Sequence, residues 1–266
     1  MNVKKQLDQA TLGSDTSAVA LPPTFDSTAE ARQYIKQRVA AAYRIFAHFG
    51  FDDGLAGHIT ARDPQHRDRF WVNPVGLYFG KMRASDLLCV DHDGQIVEGR
   101  GLVNRAAFAI HSRIHAARPD VTAIAHAHTR FGRAFSVLGR PLAPITQDAC
   151  VFYENHAIYR TFSGVVEDVA EGDAIAQALG NNAAAILQNH GTLTVGTSVD
   201  AAAALFVSLE RCCETQLLAE AAGTITAIPH DIATKTRQFN GSELVLWGNF
   251  QPLYQMILDR DPSFLD

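Results

Sequence analysis

The chain has 266 residues, 47% of them hydrophobic and 19% charged, with a net charge of −5 and an isoelectric point near 6.1. That length and apolar content suit one large folded unit with a sizeable core, and the acidic balance excludes a general phosphate-backbone binder, which needs clustered Lys and Arg. No stretch approaches the ~20 apolar residues of a membrane span, the opening residues lack the apolar core of a signal peptide, and Cys89, Cys150, Cys212 and Cys213 show no CxxC spacing. The expectation is a cytoplasmic protein with reduced thiols and neither nucleic acid nor membrane as a partner.

Residues 1–26 are polar and aperiodic and read as a flexible N-terminal arm, with one domain over 27–266. Ser27-Thr28-Ala29-Glu30 has capping-box spacing, and Ile35, Val39, Ala42, Ile45 and Phe46 recur at helical period until Gly50. Short strands follow at 58–62, 70–72 and 87–90, and Asp91-His92-Asp93-Gly94 turns the chain into 95–97. Helical patterning covers 104–118 and ends at Pro119; 121–127 is a buried strand. Helices are predicted at 130–138 and near 168–179, with an irregular stretch around 141–164 between them. An apolar strand at 184–187 leads into Asn189-His190-Gly191, a long Ala-rich helix spans 200–222, and a helical appendage closes the chain.

His126 and His128 stand two apart in a strand-like run, so both imidazoles project to one side, where a single ion can reach both. Ala125 and Ala127 leave room beside them. His190 follows another apolar strand and precedes a glycine that permits close backbone approach. Three neutral imidazoles with open positions describe a catalytic metal site more than a closed structural one. On spacing alone a His-x-His pair is more often packed or hydrogen-bonded, and periodicity does not bring His190 near, so both readings stay open.

The ordered series Gly57-His58-Ile59-Thr60-Ala61-Arg62, Asn73-Pro74-Val75-Gly76, Ala84-Ser85-Asp86-Leu87, Ile110-His111 to His115 with Ala117-Arg118-Pro119, His126-Ala127-His128 and Gln188-Asn189-His190-Gly191 resembles the class II aldolase/adducin superfamily across about residues 30–225. The resemblance implies an α/β fold of three layers, α/β/α, around a largely antiparallel sheet. It also implies one divalent metal per subunit on His126, His128 and His190, with zinc as the first candidate and manganese, iron, cobalt or magnesium as the others. A homotetramer with sites near subunit boundaries is implied as well.

The sequence departs from the aldolase pattern at informative places. The acid/base Glu of the sugar-phosphate aldolases aligns with Ala107, and their phosphate cradle aligns with Val75, Gly76, Arg105, Ala106 and His58. An Arg offers a planar fork suited to a carboxylate, so Arg105, Gly76 and His58 are expected to bind an organic acid. The family's tyrosine base falls near Gln147; Tyr153 and Glu154 are the nearest replacements, and with His58 they are the candidate catalytic groups. His111 and His115 form an i, i+4 helical pair, a spacing that can bind metal, but the resemblance makes His111 structural and both stay out of the metal shell. Without the Glu, a metal-dependent carbon–carbon lyase acting on a small hydroxy-, oxo- or aromatic carboxylic acid is expected to be a decarboxylase before an aldolase. The alternatives are a non-haem iron oxygenase on the same fold and a non-catalytic adducin-like interaction domain.

Overall fold

The computed structural model describes residues 21–165 and 168–266. Most of the expected arm, residues 1–20, lies outside the described residues; 21–26 are exposed and without regular structure. Helix α1 (Thr28–His48) begins where Ser27 accepts from the Glu30 amide at 3.2 Å, while the Glu30 carboxylate accepts from the Asp26 amide at 3.3 Å. The cap therefore forms as the sequence suggests, with its return bond shifted one residue back.

Eight strands make one sheet in the order β4-β3-β2-β1-β5-β8-β7-β6. They are β1 (His58–Arg62), β2 (Arg69–Val72), β3 (Leu88–Asp91), β4 (Ile96–Glu98), β5 (Ala123–Ala127), β6 (His156–Tyr159), β7 (Ala184–Leu187) and β8 (Gly191–Gly196). Neighbours are antiparallel except β6 and β7, which run parallel. Two strands, β6 and β8, go beyond the sequence reading. Residues 156–159 lie within the stretch taken as irregular, and in β8 the polar Thr192 and Thr194 are fully buried, so its alternation does not mark a solvent face.

Alternation along the strands sends two sets of side chains to opposite faces. On one face Ile124, Leu193, Val195, Ala185 and Leu187 pack against Ile110 and Ile114 of α2 (Arg105–Ala117) and Ile175 and Leu179 of α4 (Val169–Leu179). On the other, Ile59, Ala61, Trp71, Ala123 and Ala125 meet α1 and the long α5 (Val199–Ala222) through Val39, Tyr43, Phe46 and Phe206. The short α3 (Arg130–Ser136) covers the same face through Phe135, and α6 (His230–Asn240) and α7 (Glu243–Arg260) complete the C-terminal part. This is the three-layer α/β/α arrangement the resemblance implies.

A buried ion pair ties the helical layer together. Arg38 Nε reaches the Asp200 carboxylate at 3.1 and 3.2 Å, its Nη2 also bonds Asp200, and Gln251 bridges both residues. All four cysteines are free and buried.

Candidate metal centre

The strand directions gather one set of loops at one end of the sheet. β1 starts there, β5 and β7 end there, and β8 starts there, because His58 pairs with His126, Ala127 with Thr192, and Leu187 with Gly191. Gly57 makes the approach possible: its φ is +96°, and a Cβ would lie 3.2 Å from both Ala127 Cα and the His126 carbonyl oxygen.

His126, His128 and His190 converge at this end. One ring nitrogen from each lies within 4.8 Å of the others, and the ring centroids are 4.8 to 5.2 Å apart. His126 points to the α2 side of the sheet because Ala125 and Ala127 occupy the other, and His128 follows just past the strand end. His190 is delivered by a tight turn: its amide donates to the Leu187 carbonyl at 3.0 Å, and Asn189 sits in the left-handed region at φ 61°. Asn tolerates that conformation better than most residues. The glycine at 191 is not there for lack of room, since a Cβ would meet Ala127 O at 3.5 Å and His126 Cε1 at 3.7 Å, both ordinary contacts.

The donor set fits a divalent cation. His126 Nδ1 lies 2.8 Å from the Thr192 carbonyl, which can only accept, so the proton sits on Nδ1 and the Nε2 lone pair is free. Burial pushes His126 well below the ordinary imidazole pKa, with His190, His58 and His128 adding to the shift. Burial also lowers His190, to about 4, with His128 contributing. His128 is lowered by burial and by the Arg133 guanidinium, against the opposing pull of Asp53. Burial thus favours the neutral imidazole at all three, with one ring nitrogen bare, the form a ligand needs. Among the described residues no carboxylate belongs to the cluster.

A buried carboxylate absent from the sequence reading anchors the chain beside His128. Glu210 of α5 accepts from the Phe131 amide at 2.8 Å, the Gly132 amide at 2.6 Å and the Thr129 hydroxyl at 2.5 Å. It thereby caps the start of α3, which leaves the residue after His128. Gly132 leaves space for it, since a Cβ there would stand 2.6 Å from Thr129 Oγ1. Nothing in a single Glu within an Ala-rich helical run marks this role; only the packing of α5 against α3 shows it.

His58 is buried beside the cluster, its ring centroid 5.1 Å from that of His126. Its Nδ1 meets His111 Nε2 at 3.1 Å. Ala107, which the resemblance aligns with the aldolases' acid/base Glu, is buried one helical turn before His111. Gly76 lies in the exposed turn after β2, with φ +85°. Arg105 is the exposed first residue of α2 and lines a groove with Phe108, Ala109, Asp168 and Val169. Asn104 caps that helix by accepting from the Ala106 and Ala107 amides, so Arg105 is not its cap. A cation there stands against the helix dipole.

Tyr153 and Glu154 are not brought to the cluster within one chain. They precede β6, and because β6 runs parallel to β7, they lie at the end of the sheet opposite His190. There Tyr153 Oη meets His230 Nδ1 at 2.9 Å, and Arg237 donates to the carbonyls of both residues. A role for either as a proton donor requires a neighbouring subunit.

The chain belongs to the class II aldolase/adducin family: residues 37–217 match the Class II Aldolase and Adducin N-terminal domain. Decarboxylase NovR of Streptomyces niveus is 49% identical over 244 residues, covering 91% of this chain and 90% of that protein. The 4-hydroxy-3-prenylphenylpyruvate oxygenase/4-hydroxy-3-prenylbenzoate synthase of Streptomyces roseochromogenus subsp. oscitans is also 49% identical, covering 91% of this chain and 88% of its own length. Among solved structures, an L-fuculose 1-phosphate aldolase from Glaciozyma antarctica PI12 is 44% identical with a TM-score of 0.87, over 95% of this chain and 99% of that one.

Proposed function

We propose that this chain is a metal-dependent enzyme that breaks a carbon–carbon bond beside the carboxylate of a small hydroxy-, oxo- or aromatic carboxylic acid, by decarboxylation before aldol cleavage. The observation that carries this reading is the three-imidazole cluster, with ring nitrogens within 4.8 Å of one another and Ala107 where a sugar aldolase carries its acid/base. His126, His128 and His190 would hold a divalent ion, zinc being the first candidate, which would supply Lewis acidity to a substrate oxygen. His58 beside them, and Arg105 and Gly76 at the same end of the sheet, would bind and orient the acid. A homotetramer is the proposed assembly, with Tyr153 or Glu154 of one subunit available to another. The two Streptomyces relatives support the substrate class, since one is named as a decarboxylase and the other for an arylpyruvate and a benzoate.

Electron bookkeeping separates two forms of the reaction. A 3-oxo acid or a hydroxyaryl acid can lose carbon dioxide because the neighbouring carbonyl or its ring tautomer takes up the electron pair. A 2-oxo acid has no such internal sink and must lose carbon dioxide either onto a covalent electron-sink cofactor or oxidatively. The second reading, favoured by the oxygenase relative, is therefore oxygen-dependent cleavage of an arylpyruvate with iron on the same three imidazoles.

Elemental analysis followed by assays of hydroxyaryl, 3-oxo and arylpyruvate acids, in air and under argon, tests both. His126→Ala and His190→Ala are expected to remove metal and turnover together. Full activity of chelator-treated, metal-free protein refutes the metal-dependent reading, and carbon dioxide release under argon eliminates the oxygenase.

A further inference from the structure

An ion pair joins the two chain segments that bring His128 and His58 to the site. Arg133 of α3 stands five residues beyond His128, and Asp53 stands five before His58. Arg133 Nε donates to the Thr129 carbonyl at 3.3 Å, which ties the guanidinium to the residue that follows His128. Its Nη1 lies 3.0 Å from the Asp53 carboxylate, and Nη2 has no partner among the described residues. Backbone contacts hold both ends. The Glu210 carboxylate fixes the first turn of α3 through the Phe131 and Gly132 amides. Asp53 belongs to a loop in which the Ala56 amide donates to the Asp53 carbonyl at 3.1 Å, and the loop ends at Gly57, seated against His126 and Ala127.

Exposure separates this pair from the buried one. Arg38 and Asp200 have side chains 5% and 2% exposed and serve packing, whereas Arg133 and Asp53 are 49% and 55% exposed. An ion pair so open to water adds little to stability, and its guanidinium exchanges partners at small cost. A guanidinium meets a carboxylate with two parallel N–H donors, and the unpartnered Nη2 beside Nη1 gives an incoming acid that edge. Asp53 also has an electrostatic role. Three neutral imidazoles bring no negative charge to a divalent ion, and an unpaired Arg nearby would add to the positive charge, so Asp53 balances the guanidinium until an acid arrives. Arg105 on α2 and Arg133 on α3 belong to opposite faces of the sheet, so the two cations approach this end from different sides.

We propose that Arg133 is a substrate-binding residue that takes the carboxylate of an acid seated at the three imidazoles, with Asp53 as the internal carboxylate which that acid displaces. The inference rests on the reading of this chain as a metal-dependent enzyme acting on a carboxylic acid. The contact is made on binding, before any bond breaks, so its loss shows in affinity for acids more than in the rate of the chemical step.

Isothermal titration calorimetry of zinc-loaded protein with salicylate and phenylpyruvate, and with salicylamide as the uncharged control, tests this, metal content being measured on every sample. Arg133→Gln is expected to weaken the acids roughly tenfold, the loss of one charged hydrogen bond, and to leave salicylamide and metal content unchanged. Arg133→Lys should recover part of that loss. Asp53→Asn removes the competing carboxylate and should tighten the acids, the opposite of what a structural strut would do. The proposal is overturned if Arg133→Gln binds both acids as the parent does, or if Asp53→Asn fails to tighten them. Should Arg133→Gln not fold, Arg133→Lys and Asp53→Asn decide. Acid binding indifferent to Arg133 ends this proposal and leaves the acid-substrate reading standing; a parent that retains no zinc, or binds neither acid when loaded, ends both.

Discussion

Replacing Glu210 by Gln tests whether the metal pocket depends on an anchor one layer behind its ligands. The carboxylate accepts from two α3 amides and the Thr129 hydroxyl, with one oxygen serving Phe131 and the other serving Gly132 and Thr129. A carboxamide keeps one acceptor oxygen. Its best orientation retains the Gly132 and Thr129 bonds and turns an NH2 toward the Phe131 amide, where two donors then face each other. Loss of one hydrogen bond to a charged group, plus removal of the negative charge at a helix N-terminus, should cost about 2–4 kcal/mol. Because Thr129 follows His128 directly, the loosened turn should also weaken metal binding by roughly 10–100-fold, the range for partners that orient ligands. Urea denaturation of metal-free protein measures the first effect and competition with a chelator measures the second. A variant within about 0.5 kcal/mol of the parent, binding zinc with undiminished affinity, would refute the anchoring argument.

Other outcomes follow from the same contacts. Asp200→Ala leaves the Arg38 guanidinium buried with its main partner gone, and should cost about 3–5 kcal/mol by chemical denaturation; the double change to Arg38→Met and Asp200→Leu should cost much less. Asn189→Val forces a β-branched residue into φ 61° ahead of His190. It should lose about 1–3 kcal/mol of stability and bind metal more weakly, whereas Asn189→Gly should retain both. His111 and His115 are neutral when buried but titrate near 6.5 when unfolded, so below about pH 6.5 the unfolded chain binds the extra protons. Their contribution is full above that pH and is lost as pH falls towards the folded-state values, at up to about 1.4 kcal/mol per pH unit for each. His115→Phe, which keeps an aromatic ring stacked on Phe70, should flatten that slope in metal-free protein.

What the sequence makes legible follows from the range of the interactions involved. The α1 helix is read from its cap and local period, α2 from helical patterning that ends at Pro119 and α5 from its Ala-rich run, and the shared direction of His126 and His128 needs only the two-residue repeat of a strand. The approach of His190 rests on the pairing of β5 with β8, a strand that the reading by alternation did not separate because Thr192 and Thr194 are buried polar residues. Glu210 is equally hidden, since its partners lie at least 78 positions away along the chain.

Tyr153 and Glu154 illustrate the converse. Both stand close in sequence to the position where the family's tyrosine base falls, yet β6 pairs in parallel with β7, and parallel pairing sends the start of one strand to the end opposite the close of the other. Nearness to a motif along the chain therefore says little about nearness to the three imidazoles, while the strand directions settle it within one subunit. The same reasoning explains why His58 holds its place in the site. It pairs directly with His126 across an antiparallel junction, and its ring lies 5.1 Å from that of His126, centroid to centroid.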